Sequence, residues 1–270
     1  MNSHAQFDGA HRSTRPESAV ITEDTVTFDV DDRGVASIGL NRPDEANALD
    51  LDVAERLERA LAEIRGDPGV RVIRLASAGR IFCAGGDVRA MAASADRPQY
   101  LADLAGSVHR SLITLNELAI PIVAAVQGPV AGAGLGLVLA ADFVAATPAS
   151  SYVAAYSMVG LSPDCGVSVD LPRAVGLRRA LRMLVLNERI DAATALDWGL
   201  VDTVVEPSDL SSTVDDVASL LLDRSTAAVG HARRLVRASY GRDFSEHLDD
   251  EARTITVQGG TSEAAALLGR

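Results

Sequence analysis

The feature that most constrains the fold of this chain is a strand, a glycine-rich loop and a helix in that order, occurring twice. Residues 72–76 lead into GRIFCAGGDVRAM, and residues 121–127 lead into GPVAGAGLGLVLAAD. Strands that alternate with helices are typical of α/β proteins with parallel pairing. The sequence therefore predicts an α/β fold with a largely parallel sheet.

Other segments predict how this sheet begins and which helices come after it. TVTFDVDDRGVASIGLNRP alternates apolar and polar residues on both sides of DDRG, which predicts a β-hairpin. Apolar spacings of three and four predict amphipathic helices over 51–64 and 100–118. Further helices are expected over 208–223, 227–240 and 244–255. We expect a flexible N-terminal tail over 1–22, a core over 23–205 and a C-terminal helical region over 206–270.

Net charge and cysteine content indicate which binding partners are not expected for this protein. The formal net charge is -12 with a sequence pI of about 4.8, so nucleic acid is not an expected partner. The two cysteines, Cys83 and Cys165, fit no metal-ligand spacing, so no metal site is expected. The N-terminal residues lack the pattern of a secretory signal, and we expect a cytoplasmic protein.

The most apolar segment, residues 120–146, is interrupted by Gln127, Gly128, Pro129 and Asp142. A membrane helix needs a longer uninterrupted apolar run. The segment is therefore expected to form a buried strand, a turn and a helix, and no membrane association is expected.

The loops CAGGD and VAGAG each follow a strand and precede a helix. Glycine allows the backbone to approach a ligand closely, and the first turn of a helix presents unpaired N–H groups. Two such loops in contact would form an oxyanion hole, with the N–H groups of Gly86 and Ala133 as donors. The alternative is that both loops serve only packing, since neither matches a phosphate loop or a dinucleotide fingerprint.

Five motifs together resemble the crotonase, or enoyl-CoA hydratase/isomerase, superfamily. They occur in the family order and are LNRPDEANALD, GRIFCAGGDV, PIVAAVQGPVAGAGLGLVLAADF, GLSPDCGVSVDLPRAVG and ALRMLVLNERIDAATALDWGLVDTVV. The run GLSPDCG is similar to the branch that contains 1,2-epoxyphenylacetyl-CoA isomerase and enoyl-CoA isomerases.

The resemblance implies a spiral of ββα units with a C-terminal helical region that forms trimers, or hexamers made of two trimers. It implies an acyl-CoA thioester as substrate, with CoA as part of the substrate and no separate cofactor. It also implies that Gly86 and Ala133 hold the thioester oxygen. The residues expected to contact the substrate are Ala84, Asp87, Val88, Gly132, Tyr156 and His109.

Other interpretations of these contact residues stay open. Asp87 is expected to stabilise its loop rather than take part in the reaction. The ring of Tyr156 is expected to form part of the wall of the acyl pocket. His109, beside an apolar helix stripe, is more often structural or solvent-facing. Arg42, Arg89 and the arginines of residues 231–237 are candidates for contact with the CoA phosphates, and the cysteines are expected to be small buried side chains.

The sequence departs from the family at both glutamates that hydratases use. Gly136 stands at the first position, in the second glycine loop, and Tyr156 stands at the second. Water addition needs one group to activate water and another to supply a proton. A hydratase with two glutamates is therefore not expected.

Asp164, in the PDCG run, is the expected base in that branch. A single carboxylate is enough for double-bond migration, because it can take a γ-proton and return it at the α-carbon. The alternative for Asp164 is a helix N-cap. Competing functions are a hydratase with relocated acid and base, an acyl-CoA dehalogenase or hydrolase, and a non-catalytic CoA-binding protein.

Overall fold

A computed structural model describes residues 24–269 of the chain; the expected N-terminal tail lies outside this part. The chain alternates strands with helices, as the sequence predicted. The strands are β1 (Val26–Val30), β2 (Val35–Leu40), β3 (Val72–Ser77), β4 (Ile122–Val126), β5 (Val130–Ala131), β6 (Phe143–Ala146), β7 (Ser151–Val153), β8 (Ile190–Asp191) and β9 (Thr203–Val204).

Eleven α-helices are found within residues 24–269. They are α1 (Leu51–Gly66), α2 (Val88–Ala93), α3 (Arg97–Glu117), α4 (Ala133–Ala140), α5 (Val167–Val175), α6 (Leu177–Val185), α7 (Ala192–Trp198), α8 (Leu210–Leu222), α9 (Thr226–Ala238), α10 (Phe244–Gly259) and α11 (Ser262–Leu268). Short 3-10 helices occupy Pro43–Glu45, Tyr156–Val159 and Ser239–Gly241.

The main sheet has six strands in the order β1-β2-β3-β4-β6-β9. The β1–β2 hairpin is antiparallel, and every other neighbouring pair in this sheet is parallel. This arrangement confirms the expected α/β class with largely parallel pairing. A second sheet, β5-β7-β8, lies beside the first.

Local chemistry explains the first elements. In the hairpin turn, the Asp31 carboxylate accepts hydrogen bonds from the N–H groups of Arg33 and Val35, and Gly34 takes a positive φ of 87°. Helix α1 begins after Asp50, whose side chain accepts from the N–H of Val53. The apolar face of α1 is buried against the sheet, as its spacing predicted.

The apolar segment 120–146 forms β4, β5, α4 and β6 rather than one helix. All of β4 is buried, and nearly all of α4 is buried as well. An apolar helix surrounded by protein needs no polar face. None of the helices within residues 24–269 is long and apolar enough to cross a membrane.

Helix α8 packs on the face of the sheet opposite α1. Its Leu210, Val214 and Ala218 form a buried cluster with sheet residues that include Val72 and Val123. Although the sequence division places α8 in the C-terminal region, its apolar face completes the layer that covers the sheet.

Arg233 on α9 connects the C-terminal helices to the core. Its guanidinium contacts the Asp142 carboxylate at 2.5 Å and donates to the carbonyls of Asn116, Leu118 and Ala140. Only 4% of its side chain is exposed, and burial lowers its pKa from the ordinary value. Asp142, the residue directly before β6, is thereby held by a side chain of α9.

We expect Arg233→Ala to lower the free energy of unfolding by roughly 3 kcal/mol, because it removes one partner of a buried ion pair. Arg253→Ala is the matched control, since that arginine is 70% exposed. Urea unfolding followed by circular dichroism checks both. Equal stability of the two variants would contradict the role of Arg233.

Candidate active site

The two glycine-rich loops are in direct backbone contact. Cys83 and Val130 form a parallel bridge, and the N–H of Ala131 donates to the carbonyl of Cys83 at 2.9 Å. Gly85 has a φ of 90°, and a Cβ there would lie 3.0 Å from the carbonyl oxygen of Ala131. Only glycine allows this approach without strain. The two loops thus meet the condition that the sequence analysis set for an oxyanion hole, which is that they lie in contact.

A third segment holds the first loop from its other side. The N–H of Leu49 donates to the carbonyl of Gly85 at 2.8 Å, and the N–H of Asp87 donates to the carbonyl of Leu49 at 2.9 Å. Asn47 is buried, and its amide donates to the carbonyls of Ala78 and Ile81. The loop backbone is therefore fixed on two sides.

Gly86 and Ala133 lie where these loops enter α2 and α4. Within residues 24–269, neither N–H donates a hydrogen bond to a protein acceptor. Both residues line the same cavity. Two unpaired N–H groups on residues that line one cavity are the elements of an oxyanion hole.

The cavity has a volume of about 330 Å³ and a mainly apolar wall. Helix α3 contributes Leu101, Leu104, Ala105 and Val108 to this wall, and Met91 comes from α2. Most of the predicted site residues line the cavity, and these are Ala84, Gly86, Val88, Gly132, Ala133, Tyr156 and Asp164.

The predicted contact residues Asp87 and His109 do not line the cavity. The Asp87 carboxylate accepts from the N–H groups of Arg89 and Ala90, both at 3.0 Å, so it caps α2. Arg42 lies 3.5 Å from the same carboxylate. The structure thus places Asp87 where it fixes the loop.

Asp164 lies in the loop before α5, at the edge of the cavity. It does not cap this helix: the N-cap is Gly166, with a φ of 72° and no side-chain hydrogen bond. The Asp164 carboxylate is 38% exposed, and its Oδ1 lies 2.5 Å from Nε2 of His109. The thiol of Cys165 donates to Oδ2 at 3.6 Å.

The position of Tyr156 agrees with its interpretation as a wall. Its ring is buried, and its hydroxyl donates to the backbone carbonyl of Asp164 at 3.0 Å. Burial, followed by the nearby Cys165 and Asp164, raises the pKa of Tyr156 far above its ordinary value. The phenol is therefore a fixed donor that holds the Asp164 loop.

The contact between His109 and Asp164 could not be foreseen from local sequence. The residues are 55 positions apart and belong to different elements. Helical periodicity placed His109 beside the apolar stripe of α3, but it carries no information on which loop that side chain meets.

The packing around Gly136 leaves no room for a side chain at this position. A Cβ at this position would lie 2.5 Å from the carbonyl oxygen of Cys165 and 3.0 Å from the Cβ of Cys165. Cys165 itself has a φ of 56°, which turns its carbonyl toward α4. The space that a glutamate at position 136 would enter is filled by this loop.

Both cysteines are buried, as expected of small apolar side chains. Burial raises the pKa of Cys83 to about 12 and raises that of Cys165 as well. Ligand atoms of His109, Asp164 and Cys165 lie within 4.8 Å of one another, a set that could hold a metal ion. In this structure the three groups contact one another directly, with the thiol at Oδ2 and Nε2 of His109 at Oδ1 of Asp164.

Most arginines considered for CoA phosphates are engaged elsewhere. Arg42 pairs with Asp50 at 2.8 Å, and Arg234 pairs with Asp250. Arg233 and Arg237 both pair with Asp142, the anchor of the C-terminal helices. These partners leave their guanidinium groups less available to a phosphate.

Arg89 lies next to Val88 of the cavity wall. Within residues 24–269, its guanidinium has no ion pair. It is the arginine among these candidates with charge available near the cavity.

The model of the enoyl-CoA hydratase/isomerase protein family matches residues 31–263 of this chain. The chain belongs to the enoyl-CoA hydratase/isomerase family. Its mixed α/β fold, with two sheets and C-terminal helices, is the crotonase fold. It is similar to the crystal structure of an enoyl-CoA hydratase from Mycobacterium smegmatis, with a TM-score of 0.85 and 30% identity over 92% of this chain and 98% of that chain.

Relatives within this family carry different activities at the same identity. The chain is 32% identical to 1,2-epoxyphenylacetyl-CoA isomerase of Escherichia coli K12, over 82% of this chain and 85% of the relative. It is also 32% identical to 4-chlorobenzoyl coenzyme A dehalogenase-2 of Arthrobacter sp., over 80% of this chain and 78% of the relative. The chain is thus an acyl-CoA-processing enzyme of this family.

Gly136→Ala should lower the free energy of unfolding by about 1–3 kcal/mol, because the added Cβ overlaps the Cys165 carbonyl. The control is Gly66→Ala in α1, where a Cβ meets no atom within 4 Å. Alanine favours helices, so the control is expected to be neutral or slightly stabilising. Thermal unfolding of both variants checks this, and a neutral Gly136→Ala would contradict the closed position.

Proposed function

We propose that the enzyme moves a carbon–carbon double bond in an enoyl-CoA, with Asp164 as the base. The observation that carries the proposal is the composition of the cavity wall. It holds one carboxylate, that of Asp164, and two unpaired N–H groups, those of Gly86 and Ala133, while most of the rest is apolar. This set suits proton transfer beside a thioester.

The reaction of a trans-3-enoyl-CoA starts with proton removal from C2. The C–H electron pair delocalises onto the thioester oxygen, and the N–H groups of Gly86 and Ala133 stabilise the dienolate. The proton now on Asp164 is returned at C4, and the electrons re-form the carbonyl with a double bond between C2 and C3. The reverse direction takes the γ-proton and returns it at the α-carbon.

Among the residues that line the cavity, Asp164 supplies the one carboxylate, and neither position of the two hydratase glutamates supplies an acid or base. Gly136 cannot carry a carboxylate without displacing Cys165, and the hydroxyl of Tyr156 is engaged by the Asp164 carbonyl. Hydration needs one group for the water and one for the α-proton. Isomerisation needs only the one carboxylate.

Asp164→Asn should lower kcat for a trans-3-enoyl-CoA by at least about 10²-fold, because the amide cannot accept the proton. Growth of absorbance from the conjugated thioester measures this reaction. Asn retains the size of the side chain, so circular dichroism is expected to be unchanged.

The same assay separates the competing functions. Loss of conjugated signal from a trans-2-enoyl-CoA, with a hydroxyacyl product, would establish hydration and contradict the proposal. Tight acyl-CoA binding without turnover of either isomer would favour a non-catalytic CoA-binding protein.

A hydrolytic function is the second candidate, favoured by the imidazole of His109 beside the carboxylate. Asp164 could attack an acyl-group carbon and displace a leaving group, after which His109 takes a proton from the water that cleaves the ester. A single turnover of 4-chlorobenzoyl-CoA in ¹⁸O-water tests this. Chloride release with ¹⁸O in Asp164 would support hydrolysis, and its absence leaves isomerisation.

We also propose that the chain assembles with copies of itself through its C-terminal half. Large apolar side chains are exposed on α6 and on the C-terminal helices, among them Leu177, Val185, Val236, Phe244 and Ile255. Apolar surface of this kind favours association. Light scattering is expected to give the mass of a trimer or hexamer, and a monomer would contradict this assembly.

A further inference from the structure

One side-chain contact joins the wall of the cavity to the loop that carries the proposed base. His109 lies on α3, next to Val108, which lines the cavity. Its Nε2 is 2.5 Å from Oδ1 of Asp164, across a separation of 55 residues. The contact therefore sets where the Asp164 carboxylate lies relative to the helix that forms the wall.

His109 is the strong side-chain donor to this carboxylate among residues 24–269. The other oxygen, Oδ2, receives the Cys165 thiol at 3.6 Å, and a thiol is a weak donor. The hydroxyl of Tyr156 holds the backbone of Asp164, not its carboxylate. Without His109, rotation of the carboxylate into solvent would be opposed only by the thiol.

His109 does not itself face the acyl group. Its ring lies outside the cavity lining, and its side chain is 46% exposed. Its Nδ1 has no hydrogen-bond partner within the described residues, so Asp164 is its one polar contact there. In the proposed isomerisation, we therefore expect His109 to act through Asp164.

We propose that His109 is a positioning residue: its Nε2 N–H donates to Oδ1 of Asp164 and holds Oδ2 toward the acyl carbons. The proposal rests on the proposed role of Asp164 as base. Oδ2 then takes the substrate proton while Oδ1 stays hydrogen-bonded, so the carboxylate keeps its orientation through both proton transfers. A displacement of about 1 Å in such a group costs about 10²-fold in rate.

The test compares His109→Leu with His109→Gln. Leucine removes the donor, and kcat for a trans-3-enoyl-CoA is expected to fall about 10²-fold with little change in KM. Glutamine can place an amide N–H near the position of Nε2, so it is expected to recover most of kcat. Equal losses in the two variants would overturn the proposal, since a structural role makes no such distinction.

A double variant tests whether His109 acts through Asp164. In the Asp164→Asn background, His109→Leu is expected to cause no further loss of kcat, because the group it positions is gone. Losses that multiply would show that His109 acts independently and would overturn the proposal. Thermal unfolding of each variant controls for loss of the fold.

A measurement without substrate separates this proposal from the proposed function. In proton NMR, the Nε2 proton of His109 is expected to give a downfield signal, slow to exchange, that is lost in Asp164→Ala, which has no side-chain acceptor. Absence of that signal, or its persistence in the variant, would overturn the contact itself. If the signal behaves as expected but the wild-type enzyme isomerises no enoyl-CoA, the proposed function fails and positioning for isomerisation fails with it.

Discussion

The site depends on a short backbone segment, residues 83–86, that is hydrogen-bonded on both sides. Leu49 holds it on one side, and the strand pair around Val130 holds it on the other. Because the glycines have no Cβ, this segment reaches the next loop so closely that their backbones are in contact. The N–H groups of Gly86 and Ala133 remain unpaired, and both residues line the cavity. Preorganised donors of this kind need no rearrangement when charge develops on an oxygen.

The same packing accounts for the loss of a carboxylate on α4. Gly136 permits the turn at Cys165 to lie directly against the helix, and that turn carries Asp164 to the edge of the cavity. A glutamate at position 136 and this loop conformation exclude each other. In this chain, the loop therefore connects the absence of an acidic group at position 136 to the placement of Asp164. His109 and Tyr156 then hold the carboxylate and the backbone of that residue separately.

Sequence patterns predicted the elements better than their mutual contacts. Alternation indicated the hairpin, apolar spacings of three and four indicated the helix after it, and the glycines marked the two loops that lie in contact. The first residue of α5 was harder to predict from the sequence. Asp164 has a side chain typical of an N-cap, but Gly166 is the N-cap and supplies the backbone conformation at the start of the helix. The amphipathic pattern of α8 indicated a buried face, but not that this face covers the sheet. The contact of His109 depends on how α3 lies against the Asp164 loop, which no local pattern encodes.

A crystal structure of the Asp164→Asn enzyme with a trans-3-enoyl-CoA bound would test the proposed chemistry of the site most directly. The thioester oxygen is expected within hydrogen-bond distance of the N–H groups of Gly86 and Ala133. The side chain at position 164 is expected on the face of the acyl chain between C2 and C4, with the rest of the chain in the apolar cavity. A thioester oxygen bound elsewhere, or a residue 164 turned away from C2 and C4, would contradict the assignment of this site to double-bond migration.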